Sequence, residues 1–305
     1  MLYRAPRFIS FSLGLFLLAS TTGCTSTPEP EASAPEAYVP QLTEIWKLEA
    51  GLDRPESVIY DAGNDVLYIT NIVGDGAEMD GNGYIAKVSP EGEMLEQAWV
   101  SGLNAPKGIA IAGDRLWSSD LNALVEIALP SGEIQNRYEV EGDVYLNDVT
   151  VHSDGSVFVT DSRYSKVYKF DGTTLDVWFE GDQIQMPNGA HVIGDELVVV
   201  AGDVSAENPG QSRYFQAVSF ADKSVRTLAG STPDGALDAV EPDDKGGIFT
   251  SGWMSGRLMY FQEGSGATLL KQLGQGAADV DFIKESRMLY VPVMQEGQLI
   301  AYSVE

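Results

Sequence analysis

The chain has one cysteine and two histidines in 305 residues, and only 19 Lys and Arg against 45 Asp and Glu. A single cysteine closes no internal disulfide, whatever the compartment. Two histidines leave little scope for a His-rich zinc centre or a Ser-His-Asp hydrolase. A bound metal should therefore be a hard ion with oxygen ligands. The formal charge of −26 repels a phosphate backbone, which counts against DNA or RNA as a partner. Helical periodicity is also scarce. From residue 42 onward almost no 3.6-residue pattern occurs, so a helical bundle is excluded.

The segment 1–23, MLYRAPRFISFSLGLFLLASTTG, carries Arg4 and Arg7 ahead of an apolar stretch from Phe8 to Ala19. That stretch is too short to span a bilayer and reads as an export signal. Cys24 follows the small residues Thr21, Thr22 and Gly23. The arrangement resembles a bacterial lipoprotein signal, which implies a lipidated Cys24, although Thr21 stands where leucine is usual. The other reading is a periplasmic or secreted protein with an incidental cysteine. Thr25 replaces the aspartate of an inner-membrane retention signal, so the outer membrane is favoured. Losing Arg4 and Arg7 with the signal takes the formal charge from −26 to −28. Such a surface repels anionic lipid, so a covalent anchor is the expected route to a membrane. Residues 24–41 are dense in Pro, Ala, Ser and Glu and read as a tether of ~50 Å at about 3.1 Å per residue.

Residues 42–305 alternate short β-rich runs with Gly, Asp, Asn and Pro turns. A phrase of turn, strand, turn, strand recurs at RPESVIYDAGNDVLYIT, APKGIAIAGDRLWSS, LNDVTVHSDGSVFVT, PNGAHVIGDELVVVA, PDGALDAVEPDDKGGIFTS and AADVDFIKESRMLYVP. Starts near 55, 106, 146, 187, 233 and 277 give spacings of 40–51 residues, each the size of a four-stranded propeller blade. The expected fold is all-β, a six-bladed β-propeller. The last copy is one strand short, and TEIWKLE, residues 43–49, is placed to complete it and so join the two ends.

In such a blade the turn before each inner strand faces the central axis. Its variable residue is Glu56, Lys107, Asn147, Asn188, Asp234 and Ala278 in successive copies. Four of these bear side-chain oxygens. Two carboxylates and two amides are suited to Ca2+ and compatible with Mg2+, Mn2+ or Zn2+. Asn-Gly and Asp-Gly are also common turn formers, whereas glutamate has no such preference.

On PES at Glu56, LND at Asn147, PNG at Asn188 and PDG at Asp234, the chain resembles the SMP-30/gluconolactonase/luciferin-regenerating-enzyme family of calcium-dependent propellers. The resemblance covers residues 45–304. It implies Glu56, Asn188 and Asp234 as metal ligands, Asn147 as a neighbour facing metal and substrate, and Asp234 as general base. Some sugar-lactone enzymes of the family have arginine where Tyr145 stands, so this substrate is expected to be less polar or differently held. Lys107 either orients a substrate oxygen or neutralises Glu56 and Asp234. The function implied is metal-dependent hydrolysis of a lactone or related ester by an exported monomer. The alternative is a non-catalytic envelope propeller that binds a protein or glycan, with a structural metal.

The loop 74–83 fails as an EF-hand, since its twelfth position is Ser89, and reads as a lid or a plain loop, as does 202–213. His152 and His191 are expected to pack or hydrogen-bond. Asn71, Asp120 and Asp161 are expected to make a repeated turn bond, and the five tryptophans, spread across the blades, to pack.

Overall fold

The structure, a computed structural model, describes residues 38–202 and 212–305. The signal and lipidation expectations at 1–24, most of the tether and most of the loop 202–213 lie outside the described residues. Six four-stranded antiparallel sheets follow one another along the chain. Their innermost strands are Pro55–Asp61, Pro106–Ala112, Leu146–Val151, Ala190–Ile193, Glu241–Pro242 and Asp281–Ile283. This is the six-bladed β-propeller expected from the repeats. Among the described residues the helical content is a single 3-10 turn, Met294–Glu296.

Residue pattern sets each strand's depth. The second strands, such as VLYITN at Val66–Asn71 and GIFTSG at Gly247–Gly252, are buried at every position because blades pack on both their faces. The fourth strand of blade two, Glu133–Glu139, alternates half-buried Ile and Tyr with exposed polar residues, since one face meets water. Aromatic rings fill the wedges between blades: Phe215 stacks on Phe261 at 4.3 Å, and Phe249 packs on Phe282 at 5.1 Å. Burying each such ring contributes about 1.5–3 kcal/mol. Trp46, Trp99, Trp117 and Trp178 pack on Tyr290, Tyr68, Phe170 and Phe158, as the sequence suggests.

The ring closes where the chain begins. Strand Leu42–Leu48 pairs antiparallel with Gln298–Val304, from Leu42 opposite Val304 to Leu48 opposite Leu299. It supplies the outer strand that the last blade lacks and pairs the edge that Gln298–Val304 would otherwise leave open.

Hydroxyls tie neighbouring blades at the axis. Ser162 Oγ donates to the Pro187 carbonyl at 2.7 Å, and Ser251 Oγ to the Ala278 carbonyl at 2.8 Å. Ser119 Oγ donates in the same way to the Asn147 carbonyl. Glycine permits the closest approach: a Cβ on Gly189 would lie 1.8 Å from the Asp238 carbonyl oxygen. Side chains just before these points are thereby held toward the axis.

Candidate functional site at the propeller axis

Equivalent backbone bonds identify the axial residues. Ser57 N donates to Thr70 Oγ1 at 2.9 Å, Asp148 N to Thr160 Oγ1 at 3.0 Å, and Ala239 N to Ser251 Oγ at 3.3 Å. The residues preceding these donors are Glu56, Asn147 and Asp238. The fifth blade therefore presents Asp238 to the axis, four positions beyond the expected Asp234. Asp234 sits in the preceding turn. Its Oδ1 accepts from Gly235 N at 2.7 Å and its Oδ2 pairs with Arg257, outside the cavity lining. Pro-Asp-Gly is here a turn former. The signal for Asp238 was present in the spacing: the bonded pairs above are 13, 12 and 12 residues apart.

Glu56, Lys107, Asn147, Asn188, Asp238 and Tyr145 line one cavity of about 270 Å3. Arg54 and Arg213 complete its polar wall, while Ile72, Ala236, Trp253, Met254 and Met294 form an apolar side. Five of the expected site residues thus come together, and Asp234 does not join them. Arg213, Arg54 and Asp238 were not singled out from the sequence. Trp253 lies on the cavity wall, unlike the other tryptophans.

Burial dominates the electrostatics. It pushes the Glu56 carboxyl well above its ordinary range, with Asp238 and Asp279 adding repulsion and Lys107 opposing it. Asp238 is raised to about 6 by burial, against the favourable Arg213 charge and the Asn188 hydrogen bond. Burial lowers Lys107 to about 8 although Glu56 and Asp120 favour its charge. Asn188 Nδ2 donates to Asp238 Oδ1, and Asn147 Nδ2 donates to Ser162 Oγ at 2.9 Å. Both amides spend a donor on the protein, which leaves their oxygens as the unspent groups. Asp238 Oδ2 is buried without a hydrogen-bond partner.

Lys107 Nζ donates to the carbonyls of Ala105 at 2.9 Å and Gly76 at 3.3 Å, and lies 4.3 Å from the centre of the Tyr145 ring. Tyr145 donates its hydroxyl to the same Gly76 carbonyl at 3.0 Å. The loop 74–83 is therefore fastened over the cavity by two of the expected substrate-binding residues. Asn71, Asp120 and Asp161 anchor the turns that precede axial residues: Asn71 accepts from Asp53 N, Asp120 from Asn104 N and Ala105 N, and Asp161 from Tyr145 N.

The donor set fits a hard cation. Glu56 and Asp238 repel each other, Asp238 Oδ2 is unpartnered, and two amide oxygens join them from other blades. A divalent ion with oxygen preference would relieve that repulsion. Among the described residues, no group of three or more His, Cys, Asp or Glu is arranged to hold a metal. The fit rests on amides as much as on carboxylates.

Beyond this layer the axis continues into a second cavity of about 210 Å3, lined by Asp148, Glu241, Asp279, Asp281 and His191 among others. His191 Nδ1 lies 3.6 Å from Glu241. Burial raises all four carboxyls, Asp281 to about 7.

No protein-family model matches the sequence. No curated protein matches it either. Solved structures do match in fold. A putative gluconolactonase is 15% identical, with a TM-score of 0.63 over 87% of this chain and 92% of that one. A gluconolactonase of Xanthomonas campestris is 18% identical, with a TM-score of 0.58 over 86% of this chain and 99% of the other. A catalytically inactive virginiamycin B lyase from Staphylococcus aureus, solved with quinupristin, is 13% identical, with a TM-score of 0.59 over 87% of this chain and 99% of the lyase. At these identities the likeness establishes a shared propeller architecture, common to proteins named for lactone hydrolysis and for a lyase reaction.

Proposed function

We propose that this chain is an exported, lipid-anchored hydrolase of a lactone or related ester, with Asp238 as its general base. The observation that carries the reading is the axial set in one cavity: an unpartnered, buried carboxylate oxygen beside a second carboxylate, two amides and a buried lysine. The gluconolactonase-named neighbours support the same chemistry. Export and lipidation at Cys24 rest on the first 24 residues, and radiolabelled fatty acid incorporated into the protein but not into Cys24→Ser tests them.

Glu56, Asn188 and Asp238 would hold a hard divalent cation, with Asn147 beside it. Such an ion supplies Lewis-acid polarisation of the carbonyl, and calcium is the first candidate. The remaining work falls to side chains. Asp238 Oδ2 takes a proton from the attacking water, and a carboxyl raised to about 6 is a stronger base than an ordinary aspartate while still ionised at neutral pH. Water oxygen adds to the carbonyl carbon, and the carbonyl oxygen takes up the negative charge. As the tetrahedral centre collapses the ring C–O bond breaks. Lys107, lowered to about 8, is suited to give its proton to the departing alkoxide. The apolar wall of Ile72, Trp253 and Met294 excludes water from the rest of the substrate.

The test is hydrolysis of a panel of lactones and aryl esters, with calcium and after chelation, by the native protein and by Asp238→Asn. Turnover by the native protein that falls ~10²-fold in the variant is expected. Absence of turnover on every member would give the lead to a ligand-binding propeller.

A further inference from the structure

Three cationic side chains meet in the axial cavity: Arg54, Lys107 and Arg213. The whole chain has 19 Lys and Arg against 45 acids, so a cavity with three cations and two carboxylates reverses the sign of the molecule locally. None of the three forms an ion pair within 4.0 Å among the described residues, whereas Arg115, Arg137, Arg163, Arg226, Arg257 and Arg287 all do.

Arg213 stands out most. Its residue is 7% exposed, its guanidinium donates to the Leu237 carbonyl at 2.9 Å, and its Nε is buried with no partner. A buried guanidinium with an unmet donor is costly, because the donor has lost water and gained nothing in return. An incoming oxyanion meets that need with a charge-assisted hydrogen bond. Arg54 approaches from the rim, where its guanidinium contacts the Gly74 carbonyl and Met294 Sδ. Lys107 supplies the third positive centre from the second blade.

We infer that the cavity takes a small ligand bearing a carboxylate, held by Arg213 and Arg54, and that the substrate is a carboxylate-bearing lactone or ester. The volume of about 270 Å3 suits one ring with a short substituent. The apolar wall receives the ring and the cationic wall its anionic group. The lactone half of the statement rests on the hydrolase reading, whereas the anion site stands on Arg213, Arg54 and the cavity alone.

The two halves separate experimentally. Tetrahydrofuran-2-carboxylate and its neutral carboxamide have the same shape and neither can be hydrolysed. Calorimetric titration of the full chain should find the carboxylate bound at least ~10-fold more tightly, by an amount that shrinks as salt is raised. Arg213→Gln should remove most of that preference and leave carboxamide binding within about 3-fold, and Arg213→Lys should restore part of it. Arg54→Gln, at a more exposed position, makes the same measurement should Arg213→Gln fail to fold. Equal binding of the two ligands, or binding of neither, overturns the inference. Turnover of 5-oxotetrahydrofuran-2-carboxylate against its carboxamide supplies the other arm. Equal kcat/KM for both lactones would sink the anion site and leave the hydrolase. Tight carboxylate binding with no turnover would do the reverse.

Discussion

Substituting Asp238 by asparagine should make the metal-free protein more stable and less active. Asparagine keeps the shape and keeps an oxygen to accept from Asn188 Nδ2, but it removes the charge. Asp238 is raised to about 6 from its ordinary 3.8, so its ionised form is disfavoured in the folded chain. A raised carboxyl contributes stability below the unfolded pKa and loses it as pH climbs through the folded value. At pH 7 and above the cost of ionising it approaches 3 kcal/mol, roughly two pK units at about 1.4 kcal/mol each. Asparagine removes that cost. Thermal unfolding with a chelator at pH 7.5 should show Tm higher by roughly 5 °C, a gain that disappears below about pH 4. Calcium should stabilise the native protein more than the variant, because the variant has lost an anionic ligand. Turnover should fall ~10²-fold even at saturating calcium. Asp234→Asn is the control. It breaks a half-exposed pair with Arg257, worth about 0.2–1 kcal/mol, and should leave kcat/KM within about 3-fold. Loss of activity in Asp234→Asn with normal activity in Asp238→Asn would refute the assignment of the axial base.

Asp281→Asn should stabilise the folded chain at pH 8 by an amount on the order of 2–4 kcal/mol and flatten the fall in stability between about pH 4 and 7, since burial lifts this carboxyl to about 7 and asparagine keeps an oxygen for Tyr60 N; an unchanged pH profile would contradict it. Gly189→Ala should destabilise by several kcal/mol or prevent folding, because its Cβ would fall 1.8 Å from the Asp238 carbonyl oxygen and force blades four and five apart; denaturant titration reads the loss, and a wild-type midpoint would count against the close approach. Deleting 42–48 should cost on the order of 5 kcal/mol or more by unpairing Gln298–Val304 and exposing Leu299 and Tyr302, whereas deleting 25–36 should leave Tm unchanged. Equal Tm for the two deletions would argue against the closure.

The propeller was legible because its signal repeats. Six copies of one strand-turn-strand phrase fix a blade count that no single strand could, and the missing strand in the last copy points back to the residues before the first. The axial set was legible only where the repeat is tight. Glu56, Lys107, Asn147 and Asn188 sit at the head of clear copies, and each lines the cavity. In the fifth copy Pro-Asp-Gly imitates the fourth copy's Pro-Asn-Gly and draws the alignment four residues early. Counting back from the buried second strand, where Ser251 answers Thr70 and Thr160, gives Asp238 instead. A turn former and an axial ligand are the same residue types, so local chemistry could not choose between them. Arg213 was illegible for another reason. It lies on the third strand of its blade, opposite Gly202, away from the turns that head each repeat, yet lines the cavity. Nothing in its local sequence separates it from an edge arginine.

The axis carries six carboxylates whose ionisation burial opposes: Glu56, Asp148, Asp238, Glu241, Asp279 and Asp281. Apolar residues of similar size would pack there at less cost, so their presence calls for a sorting by what each oxygen touches. Asp148 accepts from Val149 N and, across the blade boundary, from Ala190 N. Asp281 accepts from Tyr60 N at 2.7 Å, which ties blade six to blade one. Asp279 Oδ2 lies 3.2 Å from Ser57 Oγ across the same boundary and shares that single hydroxyl proton with Glu56. These are fasteners, and replacing Asp148 or Asp281 by alanine leaves a backbone N–H unmet. Glu56 and Asp238 differ. Glu56 accepts from the neighbouring Ser57 hydroxyl at 2.9 Å, and Asp238 from Asn188, but neither closes a seam with a backbone N–H, and Asp238 Oδ2 touches no donor. Asp148→Ala should therefore lose stability at every pH, while Asp238→Ala should lose little above pH 7 and nearly all turnover. If both alanines cost the same in denaturant and in kcat/KM, the division between fastening and reacting carboxylates is wrong.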